Sequence, residues 1–318
     1  MRCIGVAGGV HLYAQEDSFF SYFNSPFIGH KRSSSIDVYP SHQLWGGPAF
    51  SPVDGRVQRV KKLRMGMKKV FPTSDADYAI AITPDENNEA IARVLHCTPS
   101  VSEGDLVAKG DSIGELLRSR YFCFWTRPHY HIEVMDPNHF QRSSQSFPLN
   151  PGFGAAQVIS GNDTHKFECE VISCARDVIV AVAKKNAFVK VGDCYGHPAV
   201  LGDDRNIGLI DAGIPHYEHG GVIGIGNVQT GAKIRVWNTD VGQATDSSEG
   251  MTVFSTYLNL SVFLGQNRMR GISHHVYSKH QLANKHPPIF LIPPSYGQYE
   301  GKLNEGDRFV LSTSIQEK

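Results

Sequence analysis

Two histidines, His129 and His131, sit two residues apart in the strand-like run PHYHIEV at Pro128–Val134. Side chains at i and i+2 of a β-strand leave the same face, so both imidazoles are expected to project into one space. With fifteen histidines in 318 residues, an H-x-H pair can arise by chance. Here it follows a His and an Asp, His30 and Asp37, in GHKRSSSIDVYP, and an isolated His96 in ARVLHCTPSVSEGDLVAKGDSIG. Imidazole and carboxylate are donors of hydrolytic zinc centres, and the combination points to a metal-dependent hydrolase. The period-two rule also puts Glu133 on the face of His131, where a carboxylate can orient an imidazole.

The elements that must position these groups read as strands. Short β-branched or aromatic runs such as YAIAIT, HIEVM, FECEVI, VIVAVA and KIRVWN alternate with Gly, Asp, Asn and Pro clusters. A short helix is expected at Asn88–Val94 and a turn at Glu115–Arg120. The chain is therefore expected to be mainly β with long loops. Ser, Pro, Asn and Gly replace strand residues in SSQSFPLNPGFG at Ser143–Gly154. A boundary there gives domains 1–148 and 149–318, with every candidate site residue in the first. VSEGD at Val101, VKVGD at Val189 and LNEGD at Leu303 recur at unequal intervals. They are expected to be shared turn chemistry and not a solenoid repeat. GGVIGIGNVQTG at Gly220–Gly231 contains no GxGxxG opening a helix and no Walker lysine, so it reads as strand and turn.

Composition bounds the partners. Zero formal net charge and a pI near 7.3 give no support to a large nucleic-acid surface. The one basic cluster, Arg59–Lys69, reads as a solvated hairpin in preference to a phosphate-binding stripe. Six cysteines without a C-x-x-C are unlike a disulfide framework or a zinc knuckle, and buried free thiols are expected. No stretch approaches the roughly 18 apolar residues of a membrane helix. The short apolar run at the start is broken by glycines and His11 and lacks a small-residue cleavage site. A cytoplasmic protein with no membrane and no nucleic-acid partner is the expectation.

From Gly29 to Pro137 the sequence resembles, in ordered blocks, the lysostaphin- or LytM-type zinc metallopeptidases, a family built on the duplicated hybrid motif barrel. His30, Asp37 and Pro40 resemble the first metal motif of that family. AFSPVDGRVQRV at Ala49–Val60 resembles its barrel-entering hairpin. VLHCTPSVSEGDLVAKGDSIG at Val94–Gly114 resembles its "YxHLSxxxVxxGxxVxxGxxIG" block, and RPHYHIEVMDP at Arg127–Pro137 its closing H-x-H strand.

The resemblance implies an N-terminal barrel-sandwich β-barrel domain followed by a β-rich domain of unknown type. It implies zinc held by His30, Asp37 and His131, with His96 and His129 as the catalytic histidines that do not bind metal. Such a ligand set leaves zinc an open position for water. One free imidazole then moves the proton of that water and another steadies the developing oxyanion. The implied substrate is a peptide or a peptidoglycan-like polymer. The His30–Asp37 spacer, KRSSSI, is longer than in the family, and His42 is a spare donor nearby. That departure motivates an alternative, a non-catalytic metal-binding or scaffold protein that retains the barrel. His216, His219, His274, His275, His280 and His286 match no ligand template and are expected to be packing or exposed residues.

Overall fold

The computed structural model describes residues 1–160, 164, 166–202 and 206–315. Among them the chain is almost entirely β, with one four-residue α-helix at Ile28–Lys31 and three short 3₁₀ turns. It divides into two compact units, Met1–Tyr22 with Phe27–Gly152, and Phe23–Pro26 with Phe153–Lys318.

The first unit is organised around a seven-stranded antiparallel sheet. Its order is Leu106–Val107, Gly55–Arg64, Ala76–Pro84, Ile91–Leu95, Tyr130–Met135, Ser35–Tyr39 and Phe19–Ser21. A three-stranded sheet (Pro48–Phe50, Ser112–Leu116, Cys97–Pro99) runs beside it, and another joins Arg2–Ala7 to Val10–Ala14 and Leu149–Asn150. The strand Tyr130–Met135 is buried at every position. Tyr130, Ile132 and Val134 lie on one face with no exposure, while His131 and Glu133 lie on the other. Burying charged groups on a sheet face is costly unless they are paired, and the site described below supplies the partners.

The basic run Arg59–Lys69 lies on the long hairpin formed by Gly55–Arg64 and Ala76–Pro84, with its side chains largely in solvent. One expectation fails. The segment expected as a helix at Asn88–Val94 contains the start of a strand, Ile91–Leu95, which pairs with both Ala76–Pro84 and Tyr130–Met135. Central-strand burial of Ile91, Ala92 and Val94 overrides local propensity there. Of the six free cysteines, Cys97, Cys169 and Cys194 are buried, but Cys3 is exposed and Cys123 and Cys174 are half-buried.

In the second unit six strands close into an antiparallel barrel. Pro198–Leu201, Lys233–Val236, Thr239–Ser248, Met251–Thr256, His219–Ile223 and Asn206–Ile214 pair in that order, and the last returns to the first. Ala199, Ile210, Val222, Val236, Val241 and Phe254 belong to its core. The glycine-rich string starts as the His219–Ile223 strand of this ring. A Cβ at Gly220 would stand 2.3 Å from the Ala212 Cβ, and one at Gly221 2.1 Å from the Phe23 ring. Close packing, not a phosphate cradle, selects those glycines.

The recurring G-D motifs are a shared turn. Gly104, Gly192 and Gly306 all have positive φ. In the first and third, the following aspartate accepts from the backbone N–H two residues upstream of the glycine: Ser102 to Asp105 and Asn304 to Asp307, each at 2.8 Å.

Candidate metal centre

Strand register brings the H-x-H pair to the other donors. His131 is directly opposite Asp37 on one neighbouring strand and Leu95 on the other, so the imidazole and the carboxylate are cross-strand neighbours. His30 arrives from the Ile28–Lys31 helix. The long KRSSSI spacer is taken up there: Ser33 turns the chain at a φ of 51°, and the Ser34 N–H returns to the Gly29 carbonyl at 2.9 Å. Gly29 is packed so closely that a Cβ would fall 2.6 Å from Glu133 Oε1. A side chain at that position would displace the carboxylate beside His131.

Three atoms converge. His131 Nδ1 lies 2.7 Å from Asp37 Oδ1, and His30 Nε2 lies 3.2 Å from each of them. All three residues are buried. The hydrogen bonds around them decide which atoms carry lone pairs. His30 Nδ1 is 2.8 Å from the Tyr22 carbonyl, which can only accept, so Nε2 is the bare nitrogen. Glu133 Oε1 lies 3.2 Å from His131 Nε2 as an ion-pair contact without hydrogen-bond geometry, and its charge favours a proton on Nε2, leaving Nδ1 bare. Asp37 contributes a carboxylate oxygen. Three buried lone pairs facing one another repel unless a cation sits among them.

In the metal-free chain that cation is a proton on His131. Burial pushes this imidazole down, but the carboxylates of Asp37 and Glu133 outweigh it and hold its pKa up at about 9. Asp37 is buried too, yet His30, His129 and His131 keep it well below the usual carboxylate range.

Glu133 is held from behind. Arg93 is its cross-strand partner, and the guanidinium binds Glu133 Oε2 while also donating to the Phe140 carbonyl at 2.5 Å and Ser143 Oγ at 2.6 Å. Burial raises the Glu133 carboxyl, and contacts with His131 and Arg93 bring it down to about 2. Truncating one member of a buried ion pair strands the other, at a cost of about 3–5 kcal/mol. Arg93→Ala is therefore expected to lower unfolding stability by that amount in urea titration. A loss under about 1 kcal/mol, the range of a surface pair, would contradict the buried network.

His129 and His96 flank the three-atom group. His129 Nδ1 donates to the Arg127 carbonyl at 2.8 Å, which turns a bare Nε2 toward Asp37 Oδ1 at 3.6 Å. Burial, opposed by Asp37, pulls this imidazole down to about 4 and keeps it neutral. His96 occupies a left-handed backbone position, φ 72°, between Ile91–Leu95 and Cys97–Pro99. Its Nδ1 lies 2.7 Å from Asp77 Oδ2, and its ring centroid is 5.4 Å from that of His129. Phe122 closes on both rings, at 4.6 and 5.1 Å, and Tyr121 stands over His96 at 5.3 Å, stacked on Phe27.

Thus all five histidine and aspartate residues singled out in the sequence gather in one place. His42 does not join them; its Nδ1 accepts from the Leu44 N–H at 3.3 Å. Among the described residues no second group of three His, Cys, Asp or Glu donors converges on a metal position. In the second unit His219, His274 and His275 are buried and His216 is half-buried, and His274 pairs through Nδ1 with His197 at 3.1 Å. Asp77, Arg93, Tyr121 and Phe122 went unnoticed in the sequence. The available signal was a single charge within an apolar strand run, as in ADYAIAIT and IARVL, which demands a buried partner.

Residues 11–151 match a family model described as "Domain of unknown function (DUF8155) N-terminal domain". No curated protein matches the chain. Two solved structures show weak similarity. One, described as the NMR solution structure of lysostaphin, has 15% identity and a TM-score of 0.26, covering 79% of this chain and 99% of that one. The other, the antimicrobial peptidase lysostaphin from Staphylococcus simulans, has 12% identity and a TM-score of 0.24, covering 77% and 98%.

Proposed function

We propose that the first unit is a zinc-dependent hydrolase of peptide or related amide bonds, with zinc held by His30, Asp37 and His131. The observation that carries this reading is the convergence of three buried lone pairs, from two imidazoles and a carboxylate, within 2.7–3.2 Å of one another. Two nitrogens and one oxygen suit zinc and leave one tetrahedral position open. When bound, zinc supplies Lewis acidity that acidifies water and polarises a carbonyl.

The residues of the chain do the rest. His129 offers its bare Nε2 on the Asp37 side, where it can take the proton of an attacking water. His96, fixed through Nδ1, presents a second bare Nε2, which can accept the other proton of that water and pass it to the departing amine. The ordered sequence blocks that resemble the zinc metallopeptidases support peptide as the substrate class, and make glycine-rich and D-amino-acid peptides the first probes.

Zinc must displace the proton that His131 holds up to about pH 9. Affinity should therefore rise with pH, by about tenfold per unit below 9, and level off above it. Calorimetric zinc titration between pH 6 and 10 checks this, together with hydrolysis of the peptide probes by the loaded chain. A flat profile, or equal hydrolysis after zinc removal, would count against the reading.

One observation favours a second reading, a metal-binding protein without turnover. His30, Asp37, His96, His129 and His131 are each 6% exposed or less. A site that never opens binds metal and cleaves nothing, so zinc binding without hydrolysis of any probe would select this reading.

A further inference from the structure

The strand Ala76–Pro84 carries one acid in an apolar run, and its register determines where that acid lands. Ala79 pairs with Leu95, so Asp77, two residues earlier on the same face, comes level with the chain just beyond Leu95, where His96 turns. Asp77 is 1% exposed. Oδ2 accepts from Ser119 Oγ at 2.8 Å and lies 2.7 Å from His96 Nδ1, while Oδ1 accepts from the Tyr78 N–H at 2.8 Å. A carboxylate surrounded by donors can only accept, so the hydrogen between Asp77 and His96 belongs to Nδ1. His96 Nε2 makes no hydrogen bond with a described residue, and the ring faces His129. Tyr121, Phe122 and His131 complete the ring contacts of His96, and among the described residues Asp77 is the hydrogen-bond partner of its imidazole.

We propose that Asp77 is a positioning residue of the site: it holds His96 in the Nδ1–H form, so that Nε2 is the one atom through which His96 meets the substrate. This rests on the reading of His96 as a reacting group. A carboxylate behind an imidazole fixes ring orientation and stabilises the imidazolium that forms transiently. Nε2 accepts the water proton that His129 does not take and delivers it to the departing amine, so His96 ends each turnover as it began and Asp77 keeps its charge throughout. The dyad adds no metal ligand, since Asp77 stands behind His96 and away from the three converging donors.

The test is ring-nitrogen NMR of the full chain, with the His96 signals assigned by their loss in His96→Ala. In the wild type Nδ1 should carry the hydrogen and Nε2 should have the shift of a bare nitrogen. Asp77→Asn inverts this, because the Tyr78 N–H retains the amide oxygen and the NH₂ then donates to Nδ1. Ser119→Ala, which leaves the carboxylate in place, keeps the wild-type pattern and serves where Asp77→Asn does not fold. With a hydrolysable peptide and zinc bound, Asp77→Asn should lower kcat by about 10²–10⁴-fold at unchanged KM and unchanged zinc affinity.

A wild-type His96 protonated at Nε2 overturns the assignment, as does an Asp77→Asn chain with normal kcat. Absence of zinc binding or of any hydrolysis in the wild type instead strikes at the proposed function. The tautomer is measured without substrate and is decided separately.

Discussion

His131→Ala is expected to lower zinc affinity by on the order of 10³-fold. The expectation follows from sharing a typical site energy of about 10–16 kcal/mol among three or four ligands. The substitution removes one of three converging donors and also releases Asp37, which His131 Nδ1 holds at 2.7 Å. The fold should survive, because Glu133 keeps the guanidinium of Arg93 and the apolar face of the strand, Tyr130, Ile132 and Val134, is untouched. Calorimetric titration with circular dichroism as the fold check separates lost ligand from lost structure. Affinity within tenfold of wild type in a folded variant means that His131 is not a ligand.

His96→Ala and His129→Ala should each keep zinc and lose turnover, by about 10²–10⁴-fold for general acid–base help. Their separation from the ligand set is geometric. His129 Nε2 stands 3.6 Å from the one donor atom it approaches, and His96 is tied by Nδ1 to Asp77, outside the three-atom group. Steady-state hydrolysis of a responsive peptide, beside metal analysis of each variant, measures both quantities. Full activity in both variants sinks the mechanism. Zinc loss in the His129 variant alone would mean that ligand and base are exchanged within the H-x-H pair.

What was legible in the sequence is what depends on local periodicity. Alternation in PHYHIEV places His131 and Glu133 on one face, and in the structure Glu133 Oε1 stands 3.2 Å from His131 Nε2. Turn residues mark the recurring G-D motifs, and the mainly β character follows from the strand runs. What escaped depends on which strands become neighbours. Asp77 and Arg93 acquire meaning only when Ala76–Pro84, Ile91–Leu95 and Tyr130–Met135 pair in register, across tens of residues. The same non-local pairing turned the expected helix at Asn88–Val94 into a central strand. The KRSSSI spacer was ambiguous for a different reason: its length is absorbed by one helical turn and a left-handed serine, which spacing alone does not encode. Ring closure in the second unit is likewise a property of six strands together.

X-ray absorption at the zinc edge, on the full chain loaded with one equivalent of zinc, tests the central claim most directly. The arrangement of His30, Asp37 and His131 predicts a shell of nitrogen and oxygen only, at about 2.0–2.2 Å, with the multiple-scattering signature of two imidazoles. That signature should fall to one imidazole in His131→Ala. A sulfur shell at about 2.3 Å, or failure to retain one equivalent of zinc, would contradict the assignment of this centre.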